Sequence, residues 1–127
     1  FNYKKNINPK ERWPTIFPTS TISVRRESFS DFLNEKFDQQ FAELAIDFRL
    51  ITYFYNFKQN LSITDQELTW YINNNDGNES KYKKYTSRWW KRRSQSFDYL
   101  LEILKKKNFD HDKTFDYTVT RFLNKIF

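Results

Sequence analysis

At 127 residues the chain has room for one domain with a modest core, and its 22 basic against 16 acidic residues give a formal charge of +6. It has no cysteine, one histidine and one glycine, which removes disulfides, thiolate metal sites, cysteine nucleophiles and glycine-rich phosphate loops from consideration. Aromatics make up 20% of the residues, 14 of them Phe, so a few bulky rings must do packing that Leu, Val and Ala usually do.

Enrichment in Phe, Tyr, Asn, Ile and Lys, with scarce Gly, Ala and Pro, matches the output of strongly AT-rich coding sequence, as in organelle genomes and some protist nuclei. Phe1 in place of a methionine reads as a processed or partial product. The most apolar piece, residues 48–57, contains Arg49 and Asn56 and is far shorter than a bilayer span, so a soluble or peripheral protein is expected.

Residues 1–26 hold all three prolines (Pro9, Pro14, Pro18) together with Lys4, Lys5, Lys10, Arg12, Arg25 and Arg26. Proline fixes its own φ and pushes the preceding residue to extended conformations, so this stretch is expected to be an extended arm. Trp13, Ile16 and Phe17 favour an arm that orders on a partner over a plain disordered terminus.

From Ser28 the pattern becomes helical. Ser28 and Asp31 resemble a capping box, and Phe29, Phe32, Leu33, Phe37, Phe41, Leu44 and Phe48 recur at helical spacing. A helix is expected from near Ser28 to about Phe57, whole or broken around Asp38 to Phe41. Its charged residues, Glu43 among them, read as a solvated face. Thr64 and Glu67 form a second capping box inside the staple pair Ile63 and Leu68, which predicts a short helix from Asp65 to about Ile72. It ends in the turn Asn73 to Asn78 around Gly77.

The next stretch carries the charge. Between Lys81 and Arg93 lie Lys81, Lys83, Lys84, Arg88, Lys91, Arg92 and Arg93 with no acid, which leaves the rest of the chain near neutral. A helix is expected to follow the turn, with Tyr82, Tyr85, Trp89, Arg93, Phe97, Leu100, Leu101 and Leu104 close to one stripe. Adjacent helical residues point about 100° apart; of Trp89 and Trp90, Trp89 is expected inside and Trp90 nearer the surface. Lys105 to Lys107 complement the macrodipole at the helix end. Asp110 or Asp112 is then expected to cap a last helix with Phe115, Val119, Phe122, Leu123 and Ile126 on one face. Asp110, His111 and Asp112 lack further His or Cys ligands and read as a cap, not a metal site. The glycosylation sequons at Asn60 and Asn78 are of a kind that Asn-rich chains produce by chance. The fold class is all-α, with four to five helices and an extended N-terminal arm; residues 1–26 form the arm and 27–127 a single helical domain.

Residues 83–125 resemble the family of the fifteenth protein of the bacterial small ribosomal subunit. In that family a His-Lys-Lys-Asp-His-His-Ser-Arg-Arg loop enters a long helix that later reads Leu-Leu-x-Tyr-Leu-Lys-Arg-Lys, and a final helix follows a Tyr. Here Lys83-Lys84-Tyr85-Thr86-Ser87-Arg88 leads to Leu100-Leu101-Glu102-Ile103-Leu104-Lys105-Lys106-Lys107, and Tyr117 precedes the last apolar stripe. The spacing is one residue shorter than in the family, Tyr85 and Thr86 replace its paired histidines, and residues 59–79 would be an insertion. The resemblance implies a four-helix RNA-binding fold with Ser87, Arg88 and the neighbouring lysines at an rRNA junction.

A focused cationic field with interleaved rings suits a polyanion, since ammonium and guanidinium groups displace counterions from phosphates while flat rings stack on bases. Together with the resemblance, this leads to the expectation of a non-catalytic rRNA-binding component of a mitochondrial ribosome. Lys81, Lys83, Lys84, Ser87, Arg88, Lys91, Arg92 and Arg93 would meet the backbone, and Tyr85 or Trp90 would stack. Its expected partners are ribosomal RNA and neighbouring ribosomal proteins, with no cofactor and no small-molecule substrate. The alternative is a matrix-facing accessory subunit of a mitochondrial respiratory or ATP synthase complex, docking by its Phe-rich helices with the basic stretch on acidic protein or anionic lipid.

Overall fold

A computed structural model describes residues 13–14, 19–35, 40–58, 62, 82–109 and 113–127. The architecture is all-α, and four α-helices are seen among these residues: α1 (Arg26–Leu33), α2 (Ile46–Tyr53), α3 (Ser87–Lys106) and α4 (Phe115–Ile126). The helix expected at 65–72, both sequons, Phe17, Lys81 and the Asp110 to Asp112 cluster lie outside the described residues.

A short 3-10 turn, Thr19–Thr21, precedes α1, which starts at Arg26. Ser28 therefore sits inside the helix instead of capping it. The N-cap position is Arg25, whose side chain makes no capping bond. The helical pattern from Ser28 to Phe57 is broken, as α1 ends at Leu33 and α2 begins at Ile46. A π turn, Phe54–Lys58, extends α2. Within it the Asn56 side-chain amide donates to the Thr52 carbonyl at 2.9 Å, competing for the acceptor an α-turn would use.

The core is a set of rings. Phe32, Phe41, Leu44, Phe48, Tyr53 and Phe54 gather against Tyr99 and Ile103 of α3. Tyr99 meets Phe41 at 5.4 Å, near edge-on, and its hydroxyl donates to the Arg49 carbonyl at 3.1 Å, so the one polar atom of this buried ring is satisfied. Trp13 packs on Phe48 at 5.1 Å and on Phe97 at 4.8 Å, so this anchor residue is seated on the chain's own core.

Helix α3 is the central element, with Ser96, Phe97, Tyr99, Leu100, Leu101, Ile103 and Leu104 all buried. It ends in a Schellman arrangement, in which the Asn108 N–H donates to Lys105 and that of Phe109 to Leu104. Asn108 takes the left-handed conformation there (φ 55°), which asparagine tolerates better than most residues. Lys106 pairs with Glu35, tying this end of α3 to the end of α1.

Helix α4 is capped by Thr114, whose hydroxyl accepts from the Tyr117 N–H at 3.2 Å. The sequence pattern put Phe115, Val119, Phe122, Leu123 and Ile126 on one face of this helix, and the structure decides which face is turned inward. The side packed on α3 is largely polar: Thr120 is fully buried and accepts from Arg93, Asp116 pairs with Arg93, and Arg121 pairs with Asp98 at 2.9 Å, with the Tyr117 ring set on Phe97 at 5.8 Å. The apolar stripe faces out, with Phe115 84%, Phe122 62% and Ile126 59% exposed. Arg93 accounts for this orientation: a guanidinium on the flank of a core helix needs oxygen partners, and Asp116 and Thr120, one turn apart on α4, supply them.

Candidate nucleic-acid interface

The basic window is two structures joined at Ser87. Residues 83–86 form a turn, closed by Thr86 N–H donating to the Lys83 carbonyl at 3.3 Å and by the Thr86 hydroxyl donating to the same oxygen at 2.7 Å. Thr86 then caps α3, accepting from the Trp89 N–H at 3.3 Å. Tyr82 and Tyr85 therefore precede the helix and do not continue its stripe, contrary to the periodicity. The stripe proper begins at Trp89.

Tyr85 occupies the third position of the turn with φ 66°, a left-handed conformation that costs a residue bearing a Cβ roughly 1–2 kcal/mol. Its ring is 71% exposed, 5.5 Å from Trp89 and 6.3 Å from Trp90. Trp89 and Trp90 meet edge to face at 4.5 Å, and both are half-buried, so neither lies wholly inside or wholly outside. Trp90 is enclosed at its polar atom: its Nε1 is buried without a hydrogen-bond partner among the described residues. Of the two predicted stacking residues, Tyr85 is the accessible one.

The cations divide into two sets. Arg88 donates to Glu43 at 3.2 Å and Lys91 stands 3.8 Å from the same carboxylate, which also accepts from the Tyr82 hydroxyl at 3.1 Å. The hydrogen bond from Arg88 holds the Glu43 carboxyl below its ordinary value, against partial desolvation, and Tyr82 and Lys91 add to it. The Glu43 N–H donates to Gln95 at 2.9 Å, so the segment before α2 is pinned to α3 by backbone and side chain alike. Arg93 donates to Asp116 at 2.7 Å, between the rings of Trp89 and Phe97 at 5.5 and 5.7 Å. Arg88, Lys91 and Arg93 thus have acids, which the sequence placed 45, 48 and 23 positions away.

Lys83, Lys84 and Arg92 form the other set, with no carboxylate partner among the described residues. Both lysines are exposed, and Arg92 lies 4.4 Å from the centre of the Tyr82 ring. These three cations converge with Trp13, Tyr82 and Trp89 on one cleft of about 480 Å³. Ser87 is exposed at the first turn of α3. Sequence reasoning singled out neither Glu43, taken as a solvated carboxylate, nor Trp13 as a site residue. The available signal was the absence of acids from the window, which required any ion-pair partner to come from elsewhere in the chain.

No group of His, Cys, Asp and Glu able to hold a metal occurs among the described residues. Among them no helix is long and apolar enough to cross a membrane. In comparisons with known proteins, no family model, no curated protein and no solved structure matches this chain.

Proposed function

We propose that this chain is a non-catalytic, RNA-contacting structural protein, a small-subunit component of a mitochondrial ribosome. The observation that carries the reading is the convergence of Lys83, Lys84 and Arg92, none of them neutralised by a carboxylate among the described residues, beside the exposed Tyr85 and the indole of Trp89. Cations without internal partners keep their field for an external polyanion, and rings beside them offer stacking surface. The turn at 83–86 leading into α3 at Ser87 has the loop-then-helix form that the ribosomal resemblance implies, which supports placing an rRNA contact there.

The test is the salt dependence of binding. Fluorescence anisotropy of the full chain with a fragment of mitochondrial small-subunit rRNA is expected to give an affinity that falls with log salt. Replacing Lys83, Lys84 and Arg92 together by Gln is expected to flatten that slope by about 2–3, the share of three phosphate contacts. Binding unaffected by the triple replacement would contradict the assignment.

A second reading is favoured by a separate observation, the outward apolar stripe of α4. An accessory subunit of a membrane complex would dock by such a face, with Phe115 and Phe122 seated on a neighbouring protein. Co-sedimentation of the chain with a respiratory or ATP synthase complex, and not with ribosomal subunits, would favour it over the ribosomal reading.

A further inference from the structure

We propose that the cleft bordered by Trp13, Tyr82 and Trp89 is a receptor for one unpaired nucleotide of the RNA, its base stacked on an indole and its flanking phosphates held by Lys83, Lys84 and Arg92. The inference rests on the RNA reading and assigns the part of the RNA that this site takes.

Three observations carry it. The cleft, at about 480 Å³, lies in the ~300–1,000 Å³ range of small-ligand sites, larger than a cradle for a lone phosphate needs to be. Its lining joins two chemistries: Trp13 and Trp89 are half-buried rings, the latter beside an Arg93 already paired with Asp116, whereas Lys83 and Lys84 are exposed and cationic. A nucleotide has that same division, with a flat base at one end and charge at the other. Finally, the cations are fixed unequally. Arg92 is held 4.4 Å from the Tyr82 ring, and Tyr82 is itself anchored by its hydroxyl to Glu43, so this guanidinium is positioned before any ligand arrives. The buried Ser96 hydroxyl, which also borders the cleft, donates to the Arg92 carbonyl at 3.0 Å.

A base within a continuous helix could not enter, because its faces are covered by its neighbours. A bulged or looped-out nucleotide could, and sequence-specific or structure-specific RNA contacts are commonly made with such residues. Stacking one base on an aromatic side chain is worth enough to give roughly tenfold in affinity. Tyr82 serves here as a positioning residue for Arg92, and the stacking surface is supplied by the indoles.

The experiment compares two RNA hairpins with the same stem, one fully paired and one with a single unpaired adenosine, each titrated with the full chain by fluorescence anisotropy at fixed salt. The bulged hairpin is expected to bind roughly tenfold more tightly. Trp89→Leu and, as a surface change that spares the packing, Arg92→Gln are each expected to erase most of that preference, and Lys105→Gln, remote from the cleft, to leave it intact. Equal affinity for the two hairpins, with binding still weakened by salt, would overturn the receptor while leaving the RNA reading in place. No binding of either hairpin at low salt would overturn both. AMP binding as tightly as the bulged hairpin would overturn the assignment to RNA and make the cleft a site for free nucleotides.

Discussion

Replacing Phe115 by Ser should leave the fold almost as stable as before, although other Phe residues are central to the core. Phe115 is 84% exposed, so about one-sixth of a side chain able to bury roughly 200 Å² is covered. That is about 30 Å², or ~0.8 kcal/mol as an upper bound. Phe and Ser differ little in helix propensity, and the Thr114 cap is untouched. Phe97→Ala provides the contrast. Phe97 is 2% exposed and packs on Trp13 and Tyr117, so its removal should cost ~3–5 kcal/mol, a large share of a small domain's stability. Urea unfolding followed by far-ultraviolet circular dichroism reads both. A Phe115→Ser loss equal to that of Phe97→Ala would show that α4 turns its apolar face inward, and the account of Arg93 as the residue that draws the polar face in would fail.

Three further outcomes are expected. Because Arg88 holds the Glu43 carboxyl below its ordinary value of 4.5, the ionised form stabilises the fold above that pH, and this contribution is lost as pH falls through the depressed folded value. Glu43→Gln should therefore narrow its stability deficit against the parent chain as pH drops below about 4.5, measured as urea midpoints across a pH series. At Tyr85, Gly should be more stable than Ala by ~1–2 kcal/mol, because only glycine takes φ 66° without a Cβ penalty; equal thermal stability of the two would remove the turn from the account. Thr114→Ala should cost ~1 kcal/mol by loss of the bond to Tyr117 N–H, with hydrogen exchange rising at the start of α4 and not in α3.

What the sequence disclosed follows from what is local. The helical period marked α3 and α4, the aromatic content anticipated a core built of Phe and Tyr rings, and the interruption between α1 and α2 lay close to where the pattern weakens. Caps were less legible. Ser28 and Asp31 have the right spacing for a box, yet α1 starts before them, and the cap of α4 is Thr114, after the aspartates that matched the rule. Helix starts are decided by competition among adjacent turns, and several Ser, Thr and Asp residues qualify in each region.

The site was legible in its charge and not in its pairing. Seven cations without an acid marked the window, but Glu43 and Asp116 reach it only through the tertiary fold. The consequence is a sorting that composition cannot give: Arg93 pairs with α4, Arg88 and Lys91 pair with the segment before α2, and Lys83, Lys84 and Arg92 have no carboxylate partner among the described residues. The outward face of α4 was hidden for the same reason. An amphipathic pattern reports two faces and does not say which is buried; Arg93 within an apolar stripe was the clue that a polar face would be drawn in.

The most direct measurement is ultraviolet crosslinking in purified mitochondria, followed by mass spectrometry of peptides spanning residues 82–93. The account predicts nucleotide adducts on Tyr85 or Trp89, carried by small-subunit rRNA. Adducts confined to membrane-complex subunits or lipid, with none to RNA, would contradict it.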